Sequence, residues 1–109
     1  MLSITLCTPQ HVTYLIRTVA DYYKVTPEEI TGKRRQMHLV RPRWVVMYLL
    51  RKRTDYSLQN IGFFLGDRDH CTIWHGVRKV AAEIEDSGCE LAIQIRHIEW
   101  DLEVQEAVA

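Results

Sequence analysis

The sequence has little proline or glycine, three and five residues among 109, and no internal repeat. That excludes a collagen-like chain and argues against disorder. It has no long apolar run: nothing approaches the ~18 residues of a membrane span, so no membrane partner is expected. Its first residues, Met1-Leu2-Ser3-Ile4-Thr5-Leu6-Cys7, lack a basic stretch and are too few for a secretory signal. Its three cysteines, Cys7, Cys71 and Cys89, are odd in number and widely spaced. Such a set does not make a disulfide framework and points to a reducing, cytosolic setting. Net charge is also lacking, with 14 cationic and 14 acidic side chains. Taken alone, that weakens a nucleic-acid reading.

What is present reverses this last point. Lys33, Arg34, Arg35, Arg41, Arg43, Arg51, Lys52 and Arg53 follow one another with no acidic residue between them. From Glu83 to Glu106, eight acidic residues stand against Arg96 alone. The chain therefore has a basic middle and an acidic tail, and a phosphate backbone responds to the local patch rather than to the sum. The alternative is a solvated charged helix face. The tail is expected either to dock on the domain or to repel DNA. The length suits one domain, and 47% apolar residues supply one modest core.

Thr8-Pro9 reads as a helix start, followed by an apolar stripe of Val12, Leu15, Ile16, Val19 and Tyr22 to about Lys24. Thr26-Pro27-Glu28-Glu29 is a second start, with Glu29 placed to close a capping box, and Gly32 ends that short helix. A basic loop is expected over Lys33 to Arg41, with Pro42 opening a third helix through Arg53. Ser57 caps a short helix to about Leu65. Gly66 marks a tight turn, and Asp67 or Arg68 begins a long helix to about Glu85. Leu91, Ile95, Ile98 and Leu102 then recur at spacings of four, three and four. That pattern suits packing on the domain's own core, or a short coiled-coil seam. The expectation is one all-α domain over 1–109 with five or six helices. Its core covers about 10–86, and an acidic amphipathic helix covers about 89–106.

The short helix, glycine turn and longer helix have the helix-turn-helix pattern. In such a motif the second helix enters the major groove by its N-terminal turn. Here that turn holds Arg68, Asp69, His70, Cys71 and Thr72. Arginine can donate to guanine, and aspartate can accept from a cytosine amino group. Thr or Cys can touch a thymine methyl or a phosphate. The alternative is a set of polar residues that simply caps a surface helix.

The stretch GDRDHCTIWHGVRKV resembles the signature of the C-terminal DNA-binding domain of the bacterial replication initiator DnaA, which reads approximately G-G-R-D-H-T-T-V-x-H-A-x-x-K-I. KRRQMHLVRPRWVVMYLLRKRTDYSLQNIG is similar to the segment that precedes it in that family, and the resemblance spans roughly Tyr14 to Glu85. It implies double-stranded DNA as partner, no cofactor and no catalytic site. By position it implies that Arg35 reaches into the minor groove. It places Arg43 and Arg51 at phosphates, and Leu58 and Gln59 near the backbone and an adjacent base. Asp69, His70 and Cys71 fall at the base-reading positions, with Thr72 and Lys79 at further phosphate contacts. It implies a role in replication or transcription, at sites like the family's TTATNCACA-type box, with the protein in the cytoplasm on the nucleoid.

The sequence departs from the pattern at Cys71, where the family has Thr, at Trp44, where it has Gln, and at Gln59, where it has Pro. It also lacks the G-x-x-x-x-G-K-[ST] of the initiator's ATPase module. The expectation is a DNA-reading head alone, and Met1 with a complete first helix suggests a natural small protein. Three rival readings remain. Cys71 and His75, one helical turn apart, lack the further ligands of a zinc site. Asp67, Asp69, His70 and His75 are better explained as cap and groove residues than as an acid–base pair. A protein-interaction module draws on Trp44, Trp74 and Trp100, and the C-terminal helix is a candidate surface for a protein partner or a homodimer. Trp74 and Trp100 are expected to be partly buried core, and Cys7 and Cys89 buried or inert thiols.

Overall fold

The computed structural model describes residues 9–108, and side chains over 11–104. The expected cap at Thr8 and the thiol of Cys7 lie outside these. Six helices follow in order: α1 (Pro9–Tyr23), α2 (Pro27–Thr31), α3 (Met37–Arg53), α4 (Leu58–Phe64), α5 (His70–Glu83) and α6 (Glu90–Val108). No strand occurs among the described residues.

The caps form as their residue types dictate. The Thr26 hydroxyl accepts from the Glu29 amide at 3.1 Å, and the Glu29 carboxylate accepts from the Thr26 amide at 2.9 Å. This reciprocal box holds a helix of only five residues. Ser57 starts α4 by accepting from the Asn60 amide at 3.1 Å.

Two boundaries differ from expectation. Helix α3 begins at Met37, so Pro42 lies inside it rather than at its start. Proline there removes one backbone bond near the helix end, and the burial of Leu39 fastens the first turn to the core. The basic loop is correspondingly short. Helix α5 begins at His70, not at Asp67 or Arg68. Gly66 and Asp67 take φ values of +80° and +61°, a left-handed pair that cannot enter a right-handed helix. A Cβ on Gly66 would collide with the Thr31 carbonyl, so the tight turn requires glycine.

Helix α3 is the central element. Val45, Val46, Leu49 and Leu50 are fully buried, in a cluster with Val19 of α1, Ile30 of α2, Ile61 of α4, Ile73 of α5 and Ile98 of α6. The α6 stripe Leu91, Ile95, Ile98 and Leu102 faces this core. Glu99 receives Lys52 at 2.9 Å and Arg53 at 3.5 Å, and Arg41 meets Glu83 at 3.3 Å. The acidic tail therefore docks on the domain and neutralises the end of the basic run. Trp74 and Trp100 correct the expectation of partial burial. They are 49% and 68% exposed: Trp100 falls on the face of α6 opposite its buried stripe, and Trp74 falls on the flank of α5 beside Cys71 and Arg78.

Candidate nucleic-acid interface

Asp69 is the N-cap of α5. Its carboxylate accepts from the Cys71 amide at 3.0 Å, which holds it below the usual carboxylate range. The same carboxylate lies 3.6 Å from His70 Nδ1. Cys71 Sγ lies 3.7 Å from His70 Nε2. The Asp69 carboxylate pushes the Cys71 thiol up. Asp69, His70, Cys71 and Thr72 are all exposed on the first turn of the helix.

Asp69, His70 and Cys71 present ligand atoms within 4.8 Å of one another, a spacing a metal ion would accept. Their position opposes it. The helix N-terminus carries partial positive charge and favours an anion over a cation, and the neighbouring cleft is basic.

That cleft, of about 390 Å³, is lined by Lys33, Arg35, Arg43, Gly66, Arg68 and Thr72. It brings together the loop before α3, the turn before α5 and the first turn of α5. Arg35 is exposed at its edge. Arg43, which the resemblance places at a phosphate, lines this cleft with its side chain turned into the protein. It is 7% exposed. Its Nε donates to the Ile30 carbonyl at 3.0 Å, and its terminal nitrogen to the Glu29 and Gly32 carbonyls at 2.8 and 3.1 Å. These are the last carbonyls of α2, which have no partner within the helix.

Arg68 departs from expectation. It precedes the cap, and its guanidinium turns inward, to the carbonyls of Leu65, of Gly32 at 2.6 Å and of Thr31 at 3.5 Å. Burial lowers the pKa of both arginines, and the charge of Arg43 lowers that of Arg68 further. Both nonetheless stay charged. Sequence reasoning missed Lys33, which donates to the Gly66 carbonyl at 3.3 Å and ties the same two segments. Its place in the basic run was the available signal.

The remaining expected residues stand elsewhere. Arg51 donates to the Tyr56 carbonyl at 3.3 Å and braces the approach to α4. Leu58 is half-buried against the core, and Gln59 is exposed beside it. Lys79 lies on the outer face of α5, in a shallow groove with Cys71, Trp74, His75 and Arg78. There the Arg78 guanidinium sits 5.6 Å from the Trp74 ring. Trp44, half-buried, lies edge-on to His75 at 6.0 Å and occupies the space over Gly76.

Residues 12–80 match the family model described as bacterial dnaA protein helix-turn-helix. The chromosomal replication initiator protein DnaA of Oenococcus oeni is 49% identical over 69 residues, which are 63% of this chain and 15% of that protein. The same protein of Roseiflexus castenholzii is 47% identical over 70 residues, 64% of this chain and 15% of that protein. That of Leptothrix cholodnii is 40% identical over 86 residues, 79% of this chain and 17% of that protein. The chain thus spans less than a fifth of the length of these curated relatives.

Proposed function

Because the chain belongs to the bacterial DnaA helix-turn-helix family, we propose that it reads double-stranded DNA sequence and carries no catalytic site. The first turn of α5 enters the major groove, where Asp69, His70 and Cys71 meet base edges and Thr72 a phosphate. Arg35 enters the adjacent minor groove, and Arg51, Leu58, Gln59 and Lys79 meet the flanking backbone or bases. Arg43 and Arg68 act from behind. They fix the basic loop against the turn and lend their charge to the cleft. A resident of such sites regulates replication or transcription by occupying them, and initiator-type boxes are the first candidates.

The observation that carries this reading is the convergence of an exposed, capped helix N-terminus and the Lys33–Arg35 loop at one cleft. A helix N-terminus and a set of cations both favour phosphate. Carbonyl oxygens accept from Arg43 and Arg68 without neutralising them, so the field at the cleft stays positive.

Chemical footprinting on a bound duplex tests the placement. Protection of guanine N7 in the major groove and of adenine N3 in the neighbouring minor groove is expected. Protection of neither groove, with binding retained, overturns it.

A further inference from the structure

Helix α6 carries two stripes. The inner one, Leu91, Ile95, Ile98 and Leu102, is buried. The outer one, Ile93, His97, Trp100 and Val104, has the same spacing of four, three and four, displaced by two residues. Two residues turn a helix by about 200°, so the outer stripe faces away from the core. Ile93, Trp100 and Val104 are 40%, 68% and 41% exposed. Trp100 and Val104 border a groove completed by Tyr14, Arg17 and Tyr22 of α1. None of these residues lines the basic cleft.

We propose that this stripe is a contact between two copies of the chain, with α6 packed antiparallel on α6. A four-three-four stripe is the seam of a two-helix coiled coil. Run antiparallel about a two-fold axis, a single register places Ile93 opposite Val104 and His97 opposite Trp100, and repeats both pairs by symmetry. A smaller ring then faces the indole in each central layer. A parallel pairing instead sets Trp100 on Trp100 and His97 on His97, and aligns the two helix dipoles.

The flanks agree with the antiparallel register. Arg96 comes beside Glu103 of the second copy, and Gln94 beside Asp101 of the second copy. Arg96 and Glu103 are both exposed, and within their own chain they reach the Ser87 carbonyl at 3.3 Å and Arg53 at 3.8 Å. The seam is about three helical turns long, so the contact is smaller than a standard stable interface. It is a weak dimer of two DNA-reading heads, which two neighbouring sites on one duplex would strengthen by raising effective concentration.

Sedimentation velocity on the full chain without DNA tests this, so that its outcome is independent of the DNA reading. The expected result is reversible dimerisation with a dissociation constant of about 10–100 µM. Trp100→Glu is expected to remain monomeric throughout that range. Arg96→Glu is expected to weaken the dimer about tenfold, and adding Glu103→Arg to restore it. A wild-type chain monomeric throughout overturns the proposal. So does a Trp100→Glu chain, folded by circular dichroism, that associates as wild type does. Failure of Glu103→Arg to restore association overturns the antiparallel register.

Discussion

Arg43 and Arg68 donate to the same oxygen, the Gly32 carbonyl, from 3.1 and 2.6 Å. Arg43 also holds the Glu29 and Ile30 carbonyls, and Arg68 holds those of Thr31 and Leu65. The shared oxygen links the end of α2 to the turn before α5, and so fixes the basic loop relative to the reading helix. The two like charges are tolerated because five backbone dipoles point at them.

Arg43→Ala is therefore expected to lower stability, by about 2–4 kcal/mol, because it leaves buried carbonyls without donors. Urea unfolding measures this. A phosphate contact on an open surface would instead leave the unfolding midpoint in place and lower the salt slope of DNA binding by about one unit. Arg43→Lys is expected to rescue only partly, since an ammonium cannot reproduce the planar fork.

Trp44 and Gly76 form a coupled pair. A Cβ on Gly76 would lie 2.5 Å from Met47 Sδ and 2.8 Å from Trp44 Cδ1. The family signature has alanine at the position of Gly76 and glutamine at that of Trp44, so this chain has exchanged both. Gly76→Ala is expected to destabilise by about 1–3 kcal/mol through overpacking. In a Trp44→Gln background the cost is expected to shrink or reverse, because alanine is the better helix former. A double-mutant cycle by thermal unfolding measures the coupling, and additive effects would contradict it.

Much of this was legible in the chain. The capping box at Thr26, the cap at Ser57, the Gly66 turn and the α6 stripe are local patterns, and local patterns are what a sequence displays. The inward turn of Arg68 was not legible. It depends on the left-handed pair Gly66-Asp67, whose second member looks like the start of a helix when read as a residue type alone. The burial of Arg43 was hidden for a different reason. Its acceptors lie 11 to 14 residues away, on a helix too short to satisfy its own carbonyls. Pro42 misled by resembling a helix start, when the burial of Leu39 decides where α3 begins. At the candidate site, the exposed Asp69–Thr72 turn was readable from composition. The tie from Lys33 to Gly66 was not, because it joins segments 33 residues apart.

Tyr23 gives a pH prediction. Its hydroxyl donates to Gln94 Oε1 at 2.7 Å, and burial pushes its pKa up to about 12. A raised acid pKa means that the phenol is favoured in the fold. Its contribution is complete below the unfolded value near ~10 and is lost as pH rises toward the folded value. The melting temperature is expected to fall more steeply with pH in this window for wild type than for Tyr23→Phe. Parallel curves would contradict it.

His70 separates reading from mere attachment. His70→Ala is expected to weaken binding to the preferred duplex about 5- to 150-fold while changing random-sequence binding much less. Equal losses on both duplexes would remove His70 from base reading.

The most direct test of the central claim is fluorescence anisotropy of the protein on a labelled duplex carrying the TTATNCACA-type box, beside a shuffled duplex, at two salt concentrations. Sequence reading by the α5 turn predicts a preference for the box that persists at the higher salt, while binding to the shuffled duplex falls away. Absence of binding to either duplex, at both salts, would contradict it.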